Sequence, residues 1–79
     1  MGWTMKKGSS VVALQRFEEQ GFNGPGVHVH AEPGDVGEIV DVFDLGFMVR
    51  WARTGTACDA FGREIQLADQ PPAPETISA

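Results

Sequence analysis

The chain has 79 residues, 42% of them apolar and 22% charged, with ten glycines, five prolines and a single cysteine. A domain this small buries only about 60% of the surface its unfolded chain exposes, which leaves a thin core and argues against a self-sufficient enzyme with a deep catalytic cleft. Six basic residues against eleven acidic ones give a net charge of −5, which repels nucleic acid and anionic membrane surfaces and points to protein partners.

With Cys58 as the sole cysteine, no internal disulfide and no paired-cysteine metal motif exists, so a reducing cytoplasm is the expected compartment. The longest apolar run, Val11 to Leu14, is far short of the roughly 20 residues of a membrane-spanning helix, and no signal-peptide pattern precedes it. No membrane partner is expected.

Residues 1–6 form an entry segment in which Trp3 and Met5 are available to close one end of a core. Ser9 to Arg16 reads either as a strand or as the first turns of a helix; its two valines and the glycine-rich break from Gly21 to Gly26 favour a strand followed by a long loop. Val27 to Glu32 alternates, which predicts a strand with Val27, Val29 and Ala31 on one face and His28, His30 and Glu32 on the other. Pro33-Gly34 makes a turn, and Asp35 to Phe43 follows as a strand in which Gly37 suggests a bulge or bend. Asp44-Leu45-Gly46 connects to a strand over Phe47 to Trp51, Thr54-Gly55-Thr56 breaks the chain again, and Arg63 to Leu67 supplies a last alternating strand. Residues 69–79, with Pro71, Pro72 and Pro74, read as a disordered tail.

These elements predict an all-β domain over residues 7–68, a small, mostly antiparallel, partly open barrel of about five strands. Its expected core is Val12, Leu14, Val29, Ile39, Val42, Val49, Trp51, Ile65 and Leu67.

The stretch Gly34-Asp-Val-Gly37-Glu-Ile39-Val-Asp-Val42 has a G-x-x-G-x-V/I-x-x-V/I form, which resembles SH3-like and KOW-like barrels, and the next strand ends Val49-Arg50-Trp51. Across residues 7 to 68 the chain is also similar to the NifZ family of nitrogen-fixation accessory proteins. The matching features are an early strand over Gly8 to Val12, a Gly/Pro loop over Gly21 to Gly26, the Gly34 to Ile39 segment, Val49 to Trp51, and a closing stretch from Cys58 to Leu67. The family pattern reaches its acidic residues almost at once after the cysteine, whereas here Asp59-Ala60-Phe61-Gly62-Arg63 follow Cys58 before Glu64. The variable chain of ferredoxin:thioredoxin reductase and the PsaE subunit of photosystem I are similar barrels. The resemblance implies a non-enzymatic accessory subunit that contacts a larger iron-sulfur or nitrogenase protein and assists maturation of the metalloclusters of the molybdenum-iron component.

Several residues are candidates for a site. His28 and His30, two apart on a strand, present rings from backbone positions about 6.5 to 7 Å apart, near enough to share one zinc or iron ion, with Glu32 continuing the face; the alternative is a solvated strand face. Glu32, Asp35, Glu38, Asp41 and Asp44 place five acids and no base within thirteen residues, a hairpin whose edge, through Glu38 and Asp41, either steers docking to a basic partner or simply guards the sheet. Arg50 and Arg53 flank Trp51 in the basic-aromatic mix used on single-stranded nucleic acid, although alternation points Trp51 inward and Arg50 out. Phe22, on the glycine-rich loop, is either an exposed anchor for a partner or a lid tucked over the barrel end. Asp59 beside Cys58 raises a thiol pKa, so the cysteine reads as a packing residue rather than a nucleophile. No nucleophile-base or paired-carboxylate spacing nominates catalytic residues, and no bound cofactor is expected. The leading expectation is a docking module; the alternatives are a KOW-like RNA- or ribosome-associated module and a small metal carrier.

Overall fold

A computed structural model describes residues 5–22 and 24–68. The first four residues of the entry segment, Asn23 and the tail expected over 69–79 lie outside the described residues. Seven strands follow one another: β1 (Ser10–Ala13), β2 (Phe17–Gln20), β3 (Val27–Ala31), β4 (Val36–Val42), β5 (Phe47–Trp51), β6 (Ala57–Ala60) and β7 (Ile65–Leu67), the last entered through a 3₁₀ turn at Gly62–Glu64. The chain is all-β and antiparallel, as its alternating pattern predicts. Five strands form one sheet in the order β6-β5-β4-β1-β7, and β2 and β3 form a second; the two do not close into a barrel. Among the described residues no helix is long and apolar enough to cross a membrane.

All five expected strands are present, and two more join them. β2 contains one apolar residue, Phe17, followed by Glu18, Glu19 and Gln20, so it has no alternation to read; tertiary pairing with β3 makes it a strand. β6 is Ala-Cys-Asp-Ala, too small and too weakly patterned to stand out, and its ladder with β5 fixes it, from Phe47↔Ala60 to Arg50↔Ala57.

The core consists of Val11, Ala13, Phe17, Ala31, Ile39, Val49, Trp51, Ala60, Ile65 and Leu67. Five of the expected core residues are in it, and β1 is out of phase by one position. Val-Val-Ala-Leu is apolar in both phases, so register decides: Val11 lies opposite Gly37 on one side and Leu67 on the other, which turns Val11 and Ala13 inward. Val12 is half-buried, and Leu14, beyond the strand end, is 51% exposed. Val29 is half-buried rather than central.

β4 breaks its ladder once. Ile39 pairs with Val49 and Asp41 with Met48, so Val40 is the extra residue of a bulge. The bulge expected at Gly37 therefore falls three residues later, and it sets Asp41 opposite Met48 while Glu38 stands opposite Arg50. Val42 is re-phased to oppose Phe47, but it stands past the reach of the core and is exposed.

Gly37 has a different task. A Cβ there would lie 2.7 Å from Cε3 of Trp51, 2.7 Å from Cγ1 of Val49 and 2.9 Å from the Arg50 carbonyl oxygen. Trp51, fully buried, occupies the space that any side chain at 37 would need. Gly34, at φ +94°, sits in the left-handed region after Pro33, and the Asp35 amide donates back to the Glu32 carbonyl at 3.0 Å, which makes the predicted turn a type II turn. Gly37→Ala is expected to destabilise the fold by about 1–3 kcal/mol through overpacking; a urea unfolding midpoint unchanged from wild type would overturn this account of the Gly37–Trp51 contact.

Candidate functional site

Three features on the surface and between the sheets carry chemistry or contact potential. The first joins the two sheets. His30 is completely buried, its Nδ1 2.7 Å from the Thr56 hydroxyl and its Nε2 3.0 Å from Oε1 of Glu19. His28 reaches the same hydroxyl through Nε2 at 3.2 Å. The expectation of a solvated histidine face fails because the C-terminal end of β3 is covered on both faces: Ala31 packs into the core, while the segment carrying Thr54 and Thr56 lies over His30.

The Thr54 hydroxyl donates to the His30 carbonyl at 3.1 Å and lies 2.8 Å from the Thr56 hydroxyl, which meets one ring nitrogen of each histidine. The Glu19 carboxylate only accepts, so His30 Nε2 donates to it.

Phe22 covers this cluster, its ring centroid 4.8 Å from that of His28 and 4.9 Å from that of His30, while the two imidazoles meet edge to face at 4.6 Å. The structure thus tucks Phe22 over the histidines. It brings His28 and His30 together as the metal reading requires, but turns their nitrogens onto Thr56; among the described residues no three His, Cys, Asp or Glu side chains group to hold a metal ion. Thr54, Thr56 and Glu19 went unremarked in the sequence, where Thr54-Gly55-Thr56 reads only as a chain break.

A second feature is a groove of about 400 Å³ between β2 and β6, lined by Phe17, Glu18 and Glu19 on one side, Ala57, Cys58 and Asp59 on the other, and Phe22 and Met48. Cys58 packs against the core here, and burial pushes its thiol pKa up, with the Glu19 and Asp59 charges adding to the rise. The Trp51 indole N–H opposes that shift, yet its contact with the sulfur falls short of a hydrogen bond, for Nε1 is buried without a partner.

The third feature is the tip of the β4–β5 hairpin. Leu45 is 82% exposed, and Phe43 and Phe61 are each 45% exposed. With Phe47 they surround a hollow of about 150 Å³, with Asp59 at its rim. Arg63 stands 5.0 Å over the Phe61 ring. An apolar residue in a turn between Asp44 and Gly46 has no core to enter, and that is the sequence signal that marks Leu45.

The remaining candidates disperse. Glu38 and Asp41 are exposed, Glu38 across the ladder from Arg50, and the Asp41 carboxylate accepts from the Val42 amide at 2.9 Å. Arg53 is tied to the Pro33-Gly34 turn: Nε and Nη2 donate to both oxygens of Asp35, the second at 3.0 Å, and the Glu32 amide donates to the same carboxylate at 2.8 Å. The Arg53 guanidinium first, and the turn amide second, hold the Asp35 carboxyl below the usual aspartate range; the same contact raises Arg53 further. Arg50 is exposed, and Arg53 is paired with Asp35.

Comparison with known proteins finds no matching family model, no matching curated protein and no matching solved structure.

Thr56→Val leaves the Thr54 hydroxyl and one ring nitrogen of each histidine short of a partner, and is expected to lower stability by about 2–3 kcal/mol, whereas Thr56→Ser stays within about 1 kcal/mol of wild type. Equal shifts of the urea midpoint in the two variants would show that the hydroxyl is not the point of attachment. The depressed native pKa of Asp35 means that its contact stabilises the fold fully above the ordinary aspartate range and loses that effect as the pH falls through the native value. Asp35→Asn is expected to flatten this part of the acid limb in a plot of unfolding free energy against pH; an acid limb identical to wild type would overturn the assignment.

Proposed function

We propose that the chain is a non-enzymatic accessory or assembly module of the cytoplasm that docks on a larger protein through the tip of its β4–β5 hairpin. The observation that carries this reading is the exposure of Leu45, Phe43 and Phe61 together around one hollow. Clustered aromatic and aliphatic side chains with a polar rim are the usual anchors of protein interfaces. Asp41 and Asp44 near the tip and Asp59 at the hollow favour a partner whose apolar knob is ringed by basic residues. The sequence resemblance to nitrogen-fixation accessory proteins supports a metalloprotein as that partner, with maturation of nitrogenase metalloclusters as the process assisted.

Purification of the tagged chain from its native cell, beside Leu45→Asp and Phe43→Asp variants, tests the reading. Wild type is expected to retain a metalloprotein of the nitrogenase system, and each variant to lose it by about tenfold or more at an unchanged melting temperature. Equal retention by the variants, or recovery of ribosomal RNA instead, overturns it.

A further inference from the structure

We infer that the groove between β2 and β6 is a second binding site, which takes an extended, basic segment of a partner protein as an added strand. It does not rest on the hairpin tip, whose hollow shares with the groove one lining residue, Asp59. Four observations converge. β2 pairs only with β3, and β6 is the terminal strand of the larger sheet, so each offers one free backbone edge, and among the described residues no ladder joins them. Unpaired edges are templates for strand addition, and Phe-Glu-Glu-Gln and Ala-Cys-Asp-Ala contain no proline to bar backbone pairing.

The groove also has the size and floor of a binding site. Its volume of about 400 Å³ falls within the roughly 300–1,000 Å³ typical of ligand pockets. Phe17, Phe22 and Met48 give it an apolar lining, and Ala57 is too small to obstruct an incoming backbone. Phe17 is itself held from behind by Trp51, centroid to centroid 5.1 Å, so the floor is rigid.

Charge then selects the occupant. Glu18, Glu19 and Asp59 line the groove, with no basic residue among the lining side chains. Glu19 is half-engaged with His30, and Glu18 stands 3.2 Å from the Arg16 guanidinium in an exposed pair that contributes little, so Asp59 and, by exchange with Arg16, Glu18 receive cationic side chains from opposite walls. An acidic strand entering the same edges meets like charge on both sides, so the carboxylates that admit a basic segment also exclude other copies of this acidic chain. A segment alternating basic and apolar residues fits both requirements: one face sends Lys or Arg to the rim, and the other covers Phe17, Phe22 and Met48.

The test uses the full ¹⁵N-labelled chain and two short synthetic peptides, one alternating lysine and valine, the other with glutamate in place of each lysine. The lysine peptide is expected to shift the amide signals of residues 17–22 and 57–59, with an affinity that falls as salt rises. The double variant Glu18→Gln, Asp59→Asn is expected to bind it about tenfold more weakly. Leu45→Asp should bind it as wild type does, which separates this site from the hairpin tip. Absence of shifts at these amides, equal binding of the glutamate peptide, or loss of binding in Leu45→Asp each overturns the proposal.

Discussion

Everything in this small fold is arranged around Trp51. Its indole is fully buried on β5, it presses against Phe17 of the second sheet, and it fills the space over Gly37 of the neighbouring strand. A two-stranded ribbon is marginal alone in water, so β2 and β3 persist because Phe17 and Ala31 enter the same core as Trp51. Glycine at 37 is the condition for that packing, since only a residue without Cβ lets the tryptophan lie flat against β4. The polar counterpart is the Thr56 hydroxyl, which holds His28 and His30 from the other side of β3. One apolar contact and one hydrogen-bonded cluster thus attach the ribbon across its two faces.

Acidity is distributed by use. In the hairpin region from Glu32 to Asp44, Asp35 is committed to Arg53 and to a turn amide, and Glu38 stands across from Arg50. Glu32 is near Arg16, at 3.7 Å in an exposed setting that contributes little. Beside the aromatic side chains of the groove, Glu18 shares the exposed Arg16 and Glu19 meets the His30 ring, while Asp59 makes no salt bridge among the described residues.

Where alternation is clean, the sequence is readable: in β5, Val49 and Trp51 are buried as expected, while Phe47, at the strand's start, is half-buried against the core. β1 was legible as a strand but not in phase, because an apolar residue at every position carries no information about which face is inside. β2 and β6 were illegible since each is held by pairing rather than by its own composition. The same limit hid the site. His28 and His30 were visible as a pair, but their burial depends on Thr54 and Thr56, brought over them by a turn more than twenty residues later in the chain. Phe22 was visible only as an aromatic in a glycine-rich loop. Long-range coverage of this kind leaves no mark in local periodicity.

The position of β1 also bears on how the chain finds this structure. β1 stands between β4 and β7 and joins Val11 to both Gly37 and Leu67. The β2–β3 ribbon and the β4-β5-β6 meander are closed by short connections and can form from neighbouring residues, whereas the β1–β7 ladder links the two ends of the folded region. Loop closure over that span carries the largest entropic cost of any pairing here, and β7 offers only three residues to offset it. The last contact to form is therefore the one that adds β7 to the far edge of the larger sheet, and the first to open under stress is the one that frees β7 while β1 stays paired with β4.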